Sequence, residues 1–124
     1  MNRAWAVEPR GDYPPDWAGI ALAVKDDAGW KCERCLHPHD FESKHVLTVH
    51  HLDGDKSNCE RWNLAALCQR CHLSVQGRVD FARDYRGPHT YWMAFHVVMF
   101  NAWALSRGRP LLSLDGVTKQ GALW

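Results

Sequence analysis

Apolar and polar positions along the chain mark out a few short elements. Ile20, Ala21, Val24 and Ala28 recur at helical spacing, which predicts a helix from Trp17 to about Ala28 with one buried face. Asp16 can cap its start and Gly29 can stop it, so the segment spans 16–29. Residues 1–15, rich in Pro, Gly and charge, read as an extended arm. Val46-Leu47-Thr48-Val49 is β-prone and ends at His50-His51, the pattern of a strand. Asp53-Gly54-Asp55 and Ser57-Asn58 carry turn chemistry, so a loop is expected over 52–62. Leu64-Ala65-Ala66-Leu67 suits a returning strand, and a helix is expected from about Arg70 to Asp84. Pro88 opens a last helix over 88–108, ending near Gly108-Arg109-Pro110, and the tail 109–124 has little periodicity.

The last helix is the most apolar part of the chain. Tyr91 to Leu105 is broken only by His96 and Asn101, yet it is shorter than the ~20 residues that cross a bilayer, so no membrane role is expected. Trp92, Phe95, Met99 and Trp103 recur at three or four residues and need cover. Either the helix at 17–28 provides it, or residues 88–107 meet a second copy or another partner.

Length and charge narrow the picture. The 124 residues suit a single domain, 1–124, with 30–86 as its core, and seven tryptophans give it bulk. A net charge of +1 provides no broad positive field. Between Lys31 and Arg86, nine Lys and Arg face eight Asp and Glu, so any grip on nucleic acid depends on local placement. Lys56, Arg61, Arg70 and Arg78 are the candidate contacts. The N-terminus lacks the apolar run of a signal peptide, which suggests a cytoplasmic protein whose cysteines are metal ligands or free thiols.

Four of the five cysteines form two pairs, Cys32-Glu-Arg-Cys35 and Cys68-Gln-Arg-Cys71. A CxxC loop offers two sulfurs about one tetrahedral edge apart, and two such loops make a structural Zn²⁺ site. The 32 residues between the pairs exceed a plain zinc ribbon and leave room for strand, loop and strand. Cys59 stands alone and reads as a free thiol. His50 and His51 are neighbours on the expected strand and so point to opposite faces. One can ligate a metal while the other addresses a water. His72 follows a knuckle cysteine at the start of a helix; packed across the strands, that helix would bring it near His50. His37, His39, His45, His89 and His96 read as surface or packing residues.

Val49-His50-His51-Leu52-Asp53-Gly54-Asp55-Lys56-Ser57-Asn58, then Asn63-Leu64, then Leu67-Cys68-Gln69-Arg70-Cys71-His72, closely resembles an HNH endonuclease of the zinc-containing subgroup found in bacteria and phages. The resemblance covers roughly residues 30–76. It implies an α+β fold: a small ββα-metal (His-Me finger) core on a four-Cys zinc site, flanked by an N-terminal helix and a C-terminal apolar helix. It implies hydrolysis of DNA phosphodiester bonds with one divalent cation, leaving 5′-phosphate and 3′-hydroxyl. By resemblance His51 is the general base, His50 and His72 are ligands of the catalytic ion, and Asn63 holds the loop and orients the base or reaches the metal. The ion is Mg²⁺, or Mn²⁺ or Ni²⁺ in so His-rich a site. Double-stranded DNA is the expected substrate, with RNA a further one. Two departures stand out: Cys59 precedes Glu60 where relatives are often polar, and Leu73-Ser74-Val75-Gln76 follows His72 where they are often basic. The rival reading is a non-catalytic zinc-binding adaptor that uses the helix at 88–107 to bind a partner such as a phage packaging complex, or a DNA-binding or packaging accessory protein.

Overall fold

The structure, a computed structural model, describes residues 12–75 and 92–112. The chain divides into two compact units, Met1–Arg78 and Val79–Trp124.

In the first unit the elements run α1 (Trp17–Asp27), β1 (Leu47–His51), a single 3₁₀ turn (Arg61–Asn63), β2 (Leu64–Cys68) and α2 (Gln69–Val75). β1 and β2 form an antiparallel pair with His50 opposite Ala65 and Thr48 opposite Leu67. α1 and α2 both pack against the pair, giving a ββα core with an added N-terminal helix. β2 is buried at every position, as a strand covered on both faces requires. Its free edge is closed by Glu33: the Glu33 amide donates to the Ala66 carbonyl and the Ala66 amide donates to the Glu33 carboxylate at 2.7 Å. The first cysteine knuckle thereby docks where a third strand would pair.

α1 lies where the periodicity puts it, but its start differs in mechanism. Asp16 occupies the cap position and makes no side-chain capping bond; its carbonyl accepts from Gly19 and Ile20 instead. The end is a Schellman turn, in which Gly29 at φ +67° donates to Asp26 and Trp30 donates to Lys25. Of the expected buried face, Val24 is fully enclosed, while Ile20, Ala21 and Ala28 are half-buried. At the head of β1, His39 Nδ1 accepts the Leu47 amide at 3.0 Å, giving that histidine a structural place. His37 and His45 stack face to face, ring centroids 3.6 Å apart.

In the second unit, α3 spans Ala94–Ser106. It ends in another Schellman turn at Gly108, φ +65°, with Arg109 donating to Ala104. Asn101, a polar break in the apolar run, clamps Leu112 by two bonds, accepting its amide at 2.8 Å and donating to its carbonyl at 3.0 Å. The enclosed positions are Trp92, Met93, His96, Val97 and Ala104. Phe95, expected on the covered stripe, is 57% exposed: the covered stripe is rotated toward Met93, Val97 and Ala104, because a run apolar on nearly every side leaves the choice of face to packing. None of the described helices is long and apolar enough to cross a membrane. The arm before Asp12, the expected continuation of α2 past Val75, the start of the last helix at Pro88, and Arg78, His89 and most of the tail lie outside the described residues.

Candidate functional site

The four paired cysteines converge. Cys32 and Cys35 sit on the loop after α1, Cys68 ends β2 and Cys71 lies in the first turn of α2, and all four sulfurs fall within 4.8 Å of one another. The Cys35 and Cys68 sulfurs are 3.8 Å apart, which is the edge of a tetrahedron with Zn–S bonds of about 2.3 Å. The knuckle backbones are wired to the sulfurs: Arg34 and Cys35 amides donate to Cys32 Sγ, and the Cys71 amide donates to Cys68 Sγ, each at 3.4 Å. From across the cluster Arg34 Nη1 donates to Cys71 Sγ at 3.3 Å. The residues fit a structural divalent metal.

The electrostatics of the bare thiols carry the same message. Burial raises the Cys32 thiol, but amides from Cys35, Cys68 and Arg34 outweigh it and the net direction is down. Burial pushes Cys35 up, and pushes Cys71 up to about 12 in spite of the Arg34 guanidinium. Four sulfurs packed this closely, three of them buried, cannot all ionise against one another. A bound dication would supply the missing positive charge. The turn itself is strained, since Leu36, just past the first knuckle, adopts φ +65° with no glycine to accommodate it.

On one face of β1, His50 meets His72 of α2: the ring centroids are 4.8 Å apart at 61°. Burial drives His50 down to about 3, helped by the charges that His72 and His51 would carry; burial likewise lowers His72. Both imidazoles are therefore neutral at pH 7 and able to ligate a cation. Thr48, two residues before His50 on β1, links β2 to His72: its Oγ1 donates to the Leu67 carbonyl at 2.7 Å and lies 2.9 Å from His72 Nδ1.

His51 goes to the opposite face. It is 6% exposed, covered by Trp17, whose ring stacks on it at 4.9 Å and 29°, and by Tyr13 at 5.8 Å. Its Nε2 is buried and has no hydrogen-bond partner. Burial lowers its pKa, the carboxylates of Asp53 and Asp55 and the Lys56 carbonyl oppose that, and the Lys56 ammonium adds to it.

Asn63 is fully buried and spends its amide on the loop after β1. Oδ1 accepts the Asp53 amide at 2.9 Å, while Nδ2 donates to Asp53 Oδ1 and to the Asn58 carbonyl, each at 2.8 Å. Asp53 in turn accepts from Asp55 and Asn58, so 53–58 is one hydrogen-bonded loop. Cys59 Sγ donates to the Lys56 carbonyl at 3.7 Å.

The four nucleic-acid candidates fare differently. Lys56 Nζ lies 4.7 Å over the Tyr13 ring, beside the His51 cover. Arg61 turns inward, donating to the Leu64 carbonyl at 2.7 Å and pairing with Asp27 at 3.4 Å. Arg70 is exposed at the start of α2, and Arg78 lies outside the described residues. Sequence reasoning missed Thr48, Trp17, Glu33 and Arg34. Thr48 carried a signal, since it shares a strand face with His50 two residues on; Trp17 carried none.

The fold and the sulfur cluster together define a metal-binding ββα module. Comparison with family models, with curated proteins and with solved structures finds no match to the chain.

Proposed function

We propose that this protein is an HNH-type endonuclease that hydrolyses DNA phosphodiester bonds with one divalent cation. The observation that carries the reading is the meeting of His50 and His72, two neutral imidazoles from separate elements, the first on the strand that also bears His51. His50 and His72 would hold Mg²⁺, Mn²⁺ or Ni²⁺, which when bound supplies positive charge to the scissile phosphate and the leaving 3′ oxygen. His51 takes the proton of the attacking water: its Nε2 lacks a partner and is neutral at pH 7, the form a base needs. Asn63 orients that base through the 53–58 loop rather than by touching the ion, since its amide is committed there. Cys32, Cys35, Cys68 and Cys71 hold Zn²⁺ as a structural pin. Lys56 and Arg70 supply phosphate contacts.

One observation favours the rival, a zinc-binding adaptor without catalysis: the imidazole assigned as base lies under Trp17 and Tyr13. Supercoiled plasmid incubated with the zinc-loaded protein and Mg²⁺, Mn²⁺, Ni²⁺ or EDTA separates the two. Nicking or linearisation that needs the added ion and disappears in His51→Ala is the expected result. Plasmid left intact under all of these ions refutes the enzyme.

A further inference from the structure

We infer that Thr48 is a positioning residue that holds His72 in one tautomer, proton on Nδ1, and so presents Nε2 as the ligand atom beside His50; this rests on the metal-binding role proposed for that pair. A threonine hydroxyl has a single proton and two lone pairs. Thr48 Oγ1 lies 2.7 Å from the Leu67 carbonyl oxygen, a group that can only accept, so the hydroxyl proton must point there. Were it turned elsewhere, two oxygen lone pairs would face each other at hydrogen-bond distance. What Oγ1 then offers to His72 Nδ1, 2.9 Å away, is a lone pair, and Nδ1 must bring the proton. A neutral imidazole protonated at Nδ1 has its free pair on Nε2.

Strand geometry makes this a property of the site and not of one side chain. Thr48 and His50 are two apart on β1 and share a face, and Leu67 is the register partner of Thr48 on β2. The hydroxyl therefore ties strand pair, α2 and ligand together from a position next to His50. Metal-bound histidines commonly donate their second ring N–H to such an oxygen, and losing that partner weakens metal affinity by about 10- to 100-fold.

The test uses the full-length, zinc-loaded protein and Mn²⁺, with free Mn²⁺ followed by electron paramagnetic resonance and the His72 ring by long-range ¹H–¹⁵N correlation. In the wild type we expect a pyrrole-like Nδ1 and a pyridine-like Nε2 on His72, and Mn²⁺ binding that His50→Ala removes. Thr48→Val, which keeps the β-branched shape and loses the hydroxyl, should weaken Mn²⁺ at least about tenfold and mix the tautomers, while Thr48→Ser should stay near the wild type. A Thr48→Val protein that binds Mn²⁺ as the wild type does, or a wild-type His72 protonated at Nε2, overturns the inference and leaves the nuclease reading standing. A wild type that takes up no Mn²⁺ through His50 and His72 overturns the nuclease reading instead, and the wild-type ring spectrum alone then decides the tautomer. That spectrum also decides it if Thr48→Val fails to fold.

Discussion

The indole of Trp17 lies flat on the imidazole of His51, ring centroids 4.9 Å apart and planes 29° from parallel. One ring belongs to the first turn of α1 and the other to the last position of β1, so the N-terminal helix forms a wall of the candidate active site. Trp17 excludes water from one face of His51 and so contributes to the burial that lowers its pKa. Trp17→Ala should let that pKa climb back toward the ordinary value near 6.5, while Trp17→Phe should hold it near the wild-type position; if His51 is the base of the proposed nuclease, the acid limb of cleavage moves to higher pH with it. Rates of plasmid cleavage between pH 5 and 8 check this, and an unmoved limb in Trp17→Ala would show that the stack does nothing for the base.

Asn63 makes a different kind of prediction. Removing its side chain strands the Asp53 amide and the Asn58 carbonyl in a buried setting. Each unmet group costs about 1–3 kcal/mol, so Asn63→Ala should lower Tm on the order of 10 °C. Asn63→Asp keeps the shape but sets a second carboxylate against Asp53 and should also destabilise. Calorimetric melts of both variants settle the matter: a Tm equal to the wild type would mean that Asn63 does not hold the loop.

Metal and fold should be lost together. Cys32 and Cys68 are wholly buried and Cys35 is exposed, so Cys68→Ser should lose metal and cooperative melting more completely than Cys35→Ser. Arg34→Ala should release the metal at a higher pH than the wild type, because its guanidinium favours the Cys71 thiolate. Cys59→Ser should change neither, since its thiol lies outside the cluster. Metal content by elemental analysis after dialysis at stepped pH reads all four variants, and full metal in Cys68→Ser would remove the structural site.

Mild acid should weaken the fold through its buried histidines. His50 is held neutral down to about 3, whereas in the unfolded chain it takes a proton near 6.5. Between these values the unfolded state binds more protons, so stability is whole above about pH 6.5 and falls as pH drops toward 3. His51 and His72, also lowered by burial, act in the same direction. Urea midpoints taken from pH 7.5 to 5 should decline, and His50→Gln should flatten the decline; a flat wild-type profile would contradict the burial of these rings.

Much of the fold was legible in the chain because local chemistry wrote it there. β1 and β2 lie where β-prone residues and turn chemistry put them, and the Gly29 stop is a matter of one residue's φ. The paired cysteines announced their cluster, since a CxxC loop sets its own sulfur spacing. The adjacency of His50 and His51 gave their divergence, because successive strand residues alternate. Asp16 shows where such reading stops: the residue type favoured a side-chain cap, and only the path of the chain left that bond unmade.

What only the tertiary structure decided is which distant groups share space. That Trp17 covers His51, that Glu33 closes the edge of β2, that Arg34 reaches Cys71 and that Thr48 answers to both Leu67 and His72 all depend on separate elements packing together. Apart from the strand alternation that sets Thr48 on the face of His50, such contacts leave no periodic mark along the chain. The sequence by itself determined the elements, the paired cysteines it carries in short spacings and the divergence of His50 from His51; packing determined the cover of His51 and which groups meet His50 and His72, because these follow from neighbours tens of residues away.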